Sequence, residues 1–333
     1  MIDIESVLLS DEDINVIKNP HVGGIILFER NFKSRDQIKD LCSSIREVKE
    51  EILIAVDHEG GRVQRFKNDF THIPPMQSIG NIAKINHDKA IKLANDIGWL
   101  IASELISCGV DISFTPVLDL DIDMSTIIGN RAFSDDPQIV IDLAESLILG
   151  MQDAGMVATG KHFPGHGGVK EDSHIQTPID SRELDELFKE DLKPYVILQN
   201  LLGGVMSAHL TFPKVDNNAV SFSYFWLTTI LRQQLGFEGV VFSDDLSMKG
   251  ADVAGNYSDK AQKALDAGCD MLLVCNNRKG AIEVLEYLEE NQISKSSKII
   301  NMLKTKEIDW NDCLLYTSPS PRDATLSRMP SSA

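Results

Sequence analysis

The feature that most constrains this 333-residue chain is a rhythm of short apolar runs, each rich in β-branched residues and each followed by a segment of helical period. Eight such runs occur, over residues 2–4, 24–28, 52–56, 112–117, 156–159, 204–207, 240–242 and 271–274. This alternation is the one-dimensional signature of parallel strands joined by crossover helices. Eight units predict an α/β fold closed into a single (β/α)8 TIM-type barrel, for which one domain of this length is ordinary. Helix boundaries agree. Asp136 and Pro137 open a helix over 138–151 that Gly155 follows, and Cys108 with Gly109 closes one over 89–107. Asp180 with Glu183 fits a capping box before a helix over 184–198, which Pro194 is expected to kink.

The polar residues at the ends of these runs matter more than the runs themselves. Asp57 comes after the third, Asp119 after the fourth, Lys161 and His162 after the fifth, His209 after the sixth, Asp244 after the seventh, and Asn276 with Asn277 after the eighth. In a barrel these carboxyl ends converge on one face, whereas an open doubly wound sheet gathers its ligand at a switch point. No G-x-G-x-x-G comes after the first run, and Gly60-Gly61 before Arg62 lacks the spacing of a phosphate-binding loop.

Residues 161–174, KHFPGHGGVKEDSH, place His162, His166, His174 and Asp172 in one glycine-punctuated stretch. On extended backbone, residues two apart point the same way, so Asp172 and His174 can lie side by side. The carboxylate favours the imidazolium and fixes the tautomer, which suits proton transfer. The alternative is a turn in which Asp172 binds backbone and His174 is solvated. Asp244 and Asp245 end a strand, so only one of them can face the barrel mouth, unless both cap a helix beginning near Leu246. Asp57, Arg62 and Arg65 set a carboxylate beside two guanidinium groups, and Arg131 follows Gly129. Such sets suit hydroxyl-rich ligands, with surface ion pairs as the alternative.

Composition removes other classes. A net charge of −18 with no basic stripe excludes a nucleic-acid backbone as partner. Cys42, Cys108, Cys269, Cys275 and Cys313 are odd in number and mostly in apolar contexts, which predicts buried reduced thiols rather than disulfides or a zinc site. The first residues, MIDIESVLLSDEDI, show no secretory pattern, and no run is long enough to cross a bilayer. The expectation is a cytoplasmic monomer with a small-molecule partner and no membrane partner. Residues 316–333, YTSPSPRDATLSRMPSSA, are Ser/Pro-rich without hydrophobic period and read as a disordered, foreign tail, with a native linear motif as the competing reading. The barrel is assigned to 1–315.

Together, DHEGGRVQRF from Asp57, GNRAF from Gly129, KHFPGHG with the later DSH, SDDLSM from Ser243 and AGCDMLLVCNNRKGA from Ala267 resemble the β-N-acetylglucosaminidases of glycoside hydrolase family three, the single-domain NagZ type. The resemblance runs from the start to about residue 309. It implies retaining hydrolysis of terminal β-linked N-acetylglucosamine from muropeptides during cell-wall recycling, through a covalent glycosyl-enzyme. Asp244 would be the nucleophile and His174 the general acid and base, oriented by Asp172. Asp57, Arg65, Arg131, Lys161 and His162 would hold the sugar, and neither metal nor cofactor is implied. Two departures stand out: His58 replaces a frequent Gln, and the Ser/Pro tail replaces helices that cover the barrel in the family. A metal-dependent barrel hydrolase built from His162, His166, His209 and Asp244 is the runner-up, weakened by the absence of His-x-His after the first strand. A catalytically silent sugar-binding barrel is the third reading, against which the intact Asp172, His174 and Asp244 set argues.

Overall fold

The computed structural model describes residues 1–122, 125, 127–169 and 178–311. Its main strands are β1 (Ile2–Asp3), β2 (Gly24–Leu27), β3 (Leu53–Val56), β4 (Ile112–Ser113), β5 (Thr159–Phe163), β6 (Gly204–Ser207), β7 (Val240–Asp245) and β8 (Met271–Leu273). All neighbouring pairs are parallel, in two sheets ordered β1-β2-β3-β4 and β5-β6-β7-β8. Single parallel bridges, Val117 to Lys161 and Ile2 to Val274, join the sheets at both seams, so strand order runs around a (β/α)8 barrel.

Strand alternation sorts the core into two layers. Ile26, Leu53, Ala55, Met206, Val240, Phe242 and Leu273 form one buried cluster, in which Phe114 meets Phe242 edge-on at 5.3 Å. Ile25, Leu27, Ile54, Val56 and Val241 belong to a second cluster shared with the helices. Successive side chains face opposite sides, so the first cluster fills the barrel and the second seats the outer ring. The helix Pro137–Ala154 behaves as expected: Asp136 accepts the Gln138 N–H at 2.8 Å, and Gly155 turns the chain at φ 95°.

Three expectations need correction. The segment expected as one kinked helix is two, Leu184–Lys189 and Lys193–Leu198, and Pro194 sits in the first turn of the second, where its missing N–H breaks no helical bond. The cap before the first helix pairs Glu183 with Glu186, while Asp180 binds Arg182 instead. Strand β5 also runs on through Lys161 and His162, which lie within it rather than after it. Cys42, Cys108, Cys269 and Cys275 are buried. Cys313 and the tail over 316–333 lie outside the described residues. Among the described residues no helix is long and apolar enough to cross a membrane.

Candidate active site

The parity that fills the barrel continues past its upper edge. Leu53 and Ala55 point inward, so Asp57 does too; Val240 and Phe242 do the same for Asp244. Asp57, Arg62, Arg65, Arg131, Lys161, His162, His166 and Asp244 line one cleft of about 390 Å³ at the carboxyl ends of the strands. A hollow of about 370 Å³ at the other barrel end is lined largely by apolar groups such as Val22, Leu272 and Leu285, whereas the first cleft gathers the charged side chains.

Sequence reasoning missed the residue that organises this cleft. Glu59, only 2% exposed, accepts both Nε and Nη2 of Arg131, at 2.8 and 2.7 Å, and lies 2.6 Å from Lys161 Nζ. Lys161 reaches Asp57 as well, at 2.8 Å, and Arg65 stands 3.7 Å from the same carboxylate. Burial alone would push the Glu59 carboxyl up; Arg131 and Lys161 outweigh it and hold the group well below its ordinary value. Asp57 follows the same logic, with burial opposed by Lys161 and then Arg65. The clue was available, since Glu59 is two residues from Asp57 and alternation carries both to one side. His58, between them, turns into the core beside Phe66 and Phe70, with ring centroids 5.9 and 5.8 Å away. Burial, with Arg65 nearby, lowers its pKa to about 3, so the ring is neutral.

His162 is set by Asp119. Its Nδ1–H donates to the fully buried Asp119 carboxylate at 2.7 Å, which fixes the tautomer and leaves Nε2 for a ligand. The backbone N–H of His166 donates to the same carboxylate at 2.7 Å. Burial would raise Asp119, but His162 and the hydrogen bonds bring it below its ordinary range. His166 is itself buried, and burial followed by His162 keeps its ring neutral.

The two consecutive aspartates divide. Asp245 accepts the backbone N–H groups of Ser247 and Cys275 at 2.9 and 3.0 Å and the Ser247 hydroxyl at 2.7 Å, and burial pushes its carboxyl up to about 6. Asp244 is half-buried in the cleft, accepts the Asp245 N–H at 2.8 Å, and among the described residues has no Lys or Arg within ion-pair distance. His209 donates Nε2–H to the Asp245 carbonyl at 3.0 Å and stacks on Phe222. No three His, Cys, Asp or Glu side chains among the described residues converge in a metal-binding group. Asp172 and His174 lie outside the described residues.

The arrangement can grip a hydroxyl-rich ring with fixed cations and carboxylates while presenting Asp244, a carboxylate with no Lys or Arg counter-ion among the described residues. Residues 2–303 match the N-terminal domain of glycosyl hydrolase family 3. The chain is 47% identical over 314 residues to a β-hexosaminidase of Tolumonas auensis, covering 93% of this chain and 92% of that protein. It is 45% identical over 320 residues to one from Haemophilus influenzae, covering 94% and 91%. NagZ from Neisseria gonorrhoeae, solved with N-trifluoroacetyl-D-glucosamine, has a TM-score of 0.87 at 39% identity over 98% of this chain and 95% of that one.

Proposed function

The chain belongs to glycosyl hydrolase family 3 and is a glycoside hydrolase of the β-hexosaminidase kind, and from that premise we propose that it is a retaining exo-β-N-acetylglucosaminidase acting through a covalent intermediate. The observation that carries this reading is Asp244, a carboxylate open to the cleft and free of any Lys or Arg counter-ion among the described residues, in the same cleft as the paired charges of Asp57 and Lys161. A carboxylate without a cation on it keeps its nucleophilicity for an anomeric carbon.

In the first step an Asp244 oxygen bonds to C1 as the C1–O bond to the aglycone breaks, and the departing oxygen takes a proton from His174. In the second, His174 takes a proton from water, whose oxygen bonds to C1 and frees the Asp244 carboxylate. Asp172 orients the imidazole. This replaces the usual pair of carboxylates by a carboxylate and a histidine, whose unperturbed titration near neutrality suits both transfers. Asp57, Arg65, Arg131, Lys161 and His162 hold the N-acetylglucosamine ring. Muropeptides from cell-wall recycling are the substrates, in the cytoplasm, with the protein a monomer.

The test is turnover of a chromogenic N-acetyl-β-glucosaminide by wild type, Asp244→Ala and His174→Ala. Wild-type turnover that either variant loses supports the assignment; normal turnover by Asp244→Ala removes the nucleophile.

A further inference from the structure

Arg62 is the cleft cation that the sugar-holding network leaves over. Lys161 is paired with Asp57 and Glu59, Arg131 with Glu59, and Arg65 with Asp57. Arg62 has no carboxylate within ion-pair distance among the described residues. Its guanidinium instead donates from Nη2 to the Ile127 carbonyl, the same oxygen that Arg131 Nη1 approaches at 3.4 Å. One peptide oxygen thus separates Arg131, paired with Glu59, from Arg62, which has no carboxylate partner among the described residues. Exposure gives the direction: Lys161 and Glu59 are buried, Arg131 is half-buried and Arg62 is exposed, so the row climbs from the floor of the cleft to its rim.

The rim position is built, not incidental. Arg62 sits at the tip of a hairpin formed by His58–Gly60 and Val63–Gln64. Gly60 and Gly61 have φ of 106° and 55°, and an added Cβ would come within 2.7 Å of Ile73 and the Pro74 carbonyl, or 2.8 Å of Pro75. The Gly61 N–H also donates to the Ile73 carbonyl at 2.8 Å. A turn seated this closely holds its tip in place, and a guanidinium with one nitrogen spent on a carbonyl still has an edge for two parallel bonds to a carboxylate. In a chain of net charge −18, a cation at the mouth of the cleft that has no carboxylate partner among the described residues selects for a negative ligand there.

We propose that Arg62 is a specificity residue that binds a carboxylate on the leaving-group side of the substrate, so that anionic aglycones are preferred; this rests on the hydrolase reading above. The N-acetylglucosamine ring is neutral and occupies the inner network. The carboxylate therefore belongs to the part of the substrate that extends toward solvent.

The experiment compares kcat/KM for 4-carboxyphenyl N-acetyl-β-glucosaminide and its neutral methyl ester in wild type, Arg62→Ala and Arg62→Lys. Removing a charge-assisted bond at a half-open rim lowers the acid-to-ester ratio about tenfold in Arg62→Ala, with partial recovery in Arg62→Lys. Taking the ratio within each protein cancels the difference in leaving-group chemistry. High salt lowers the wild-type ratio in the same direction, which gives a second reading should Arg62→Ala fail to fold. Turnover with a ratio that Arg62→Ala leaves within about twofold of wild type, or that salt does not change, overturns the assignment alone. No turnover of either glycoside by wild type overturns the hydrolase reading and this assignment with it.

Discussion

Replacing Glu59 by Gln keeps the shape of the side chain and removes the charge that Lys161 and Arg131 share. Lys161 retains Asp57 at 2.8 Å, but among the described residues Arg131 is left with one neutral amide oxygen in place of the bidentate carboxylate and with the Ile127 carbonyl at 3.4 Å. Its side chain is 11% exposed, so water does not replace the lost partner. Breaking one side of a buried pair costs about 3–5 kcal/mol. With an unfolding entropy of about 2 cal/mol/K per residue over roughly 300 residues, that lowers Tm by about 5–8 °C. Displacement of Arg131 and Lys161 also misplaces the sugar, for which a loss of about 100-fold in kcat/KM is expected. The pH dependence has a definite sign. Pairing holds Glu59 below its ordinary 4.5, so its stabilisation is complete above that value and fades as acid protonates the folded state. Glu59→Gln has nothing to lose there, and the two stability curves converge as pH falls. Thermal melts at pH 7 and pH 4, with turnover of a chromogenic glycoside, read all three effects. A variant within about threefold of wild type in kcat/KM and with the same Tm at pH 7 would refute the reasoning.

Groups beside the cleft lead to further consequences. Arg182 binds Asp180 at 2.7 Å and Asp191 at 2.5 Å, and both carboxylates are buried. Burial raises Asp191 to about 6 even with Arg182 pulling it down, so its contribution is full below its unfolded value near 3.8 and fades as pH rises through 6. Arg182→Ala should therefore lose about 3 kcal/mol at pH 7 and less at pH 5, where Asp191 takes up a proton, as urea titrations at the two values can check. An equal loss at both would remove Asp191 as the titrating partner. In a Cys313→Ser background, a thiol reagent should find no reactive group in the native protein and four after unfolding, because Cys42, Cys108, Cys269 and Cys275 are buried. Rapid native labelling of any of them contradicts that burial.

The barrel was legible because β-branched runs and helical segments alternate eight times, a pattern few folds share. The places of Asp57 and Asp244 at strand ends were legible from the apolar runs before them, but which of Asp244 and Asp245 faces the cleft was not, because alternation shows only that one of the two does. Strand β5 was legible only up to Thr159, because Lys161 and His162 are polar and look like the start of a loop; the ion pairs that make them strand residues come from Asp57, Glu59 and Asp119, far away in sequence. Glu59 was obscured for a related reason, lying in a Gly-rich hairpin where alternation is easily discounted. The split at 190–192 was hidden because Pro194 breaks a helix when interior and starts one when first, and only the tertiary setting decides which.

The central claim is that the Asp244 carboxylate bonds to the anomeric carbon. Incubation with a 5-fluoro-N-acetylglucosaminyl fluoride, which forms the glycosyl-enzyme faster than water clears it, followed by peptide mass spectrometry, tests this directly. One sugar should be found on the peptide containing Asp244, and none in Asp244→Ala. An active enzyme that carries no sugar, or carries it on another residue, contradicts the claim.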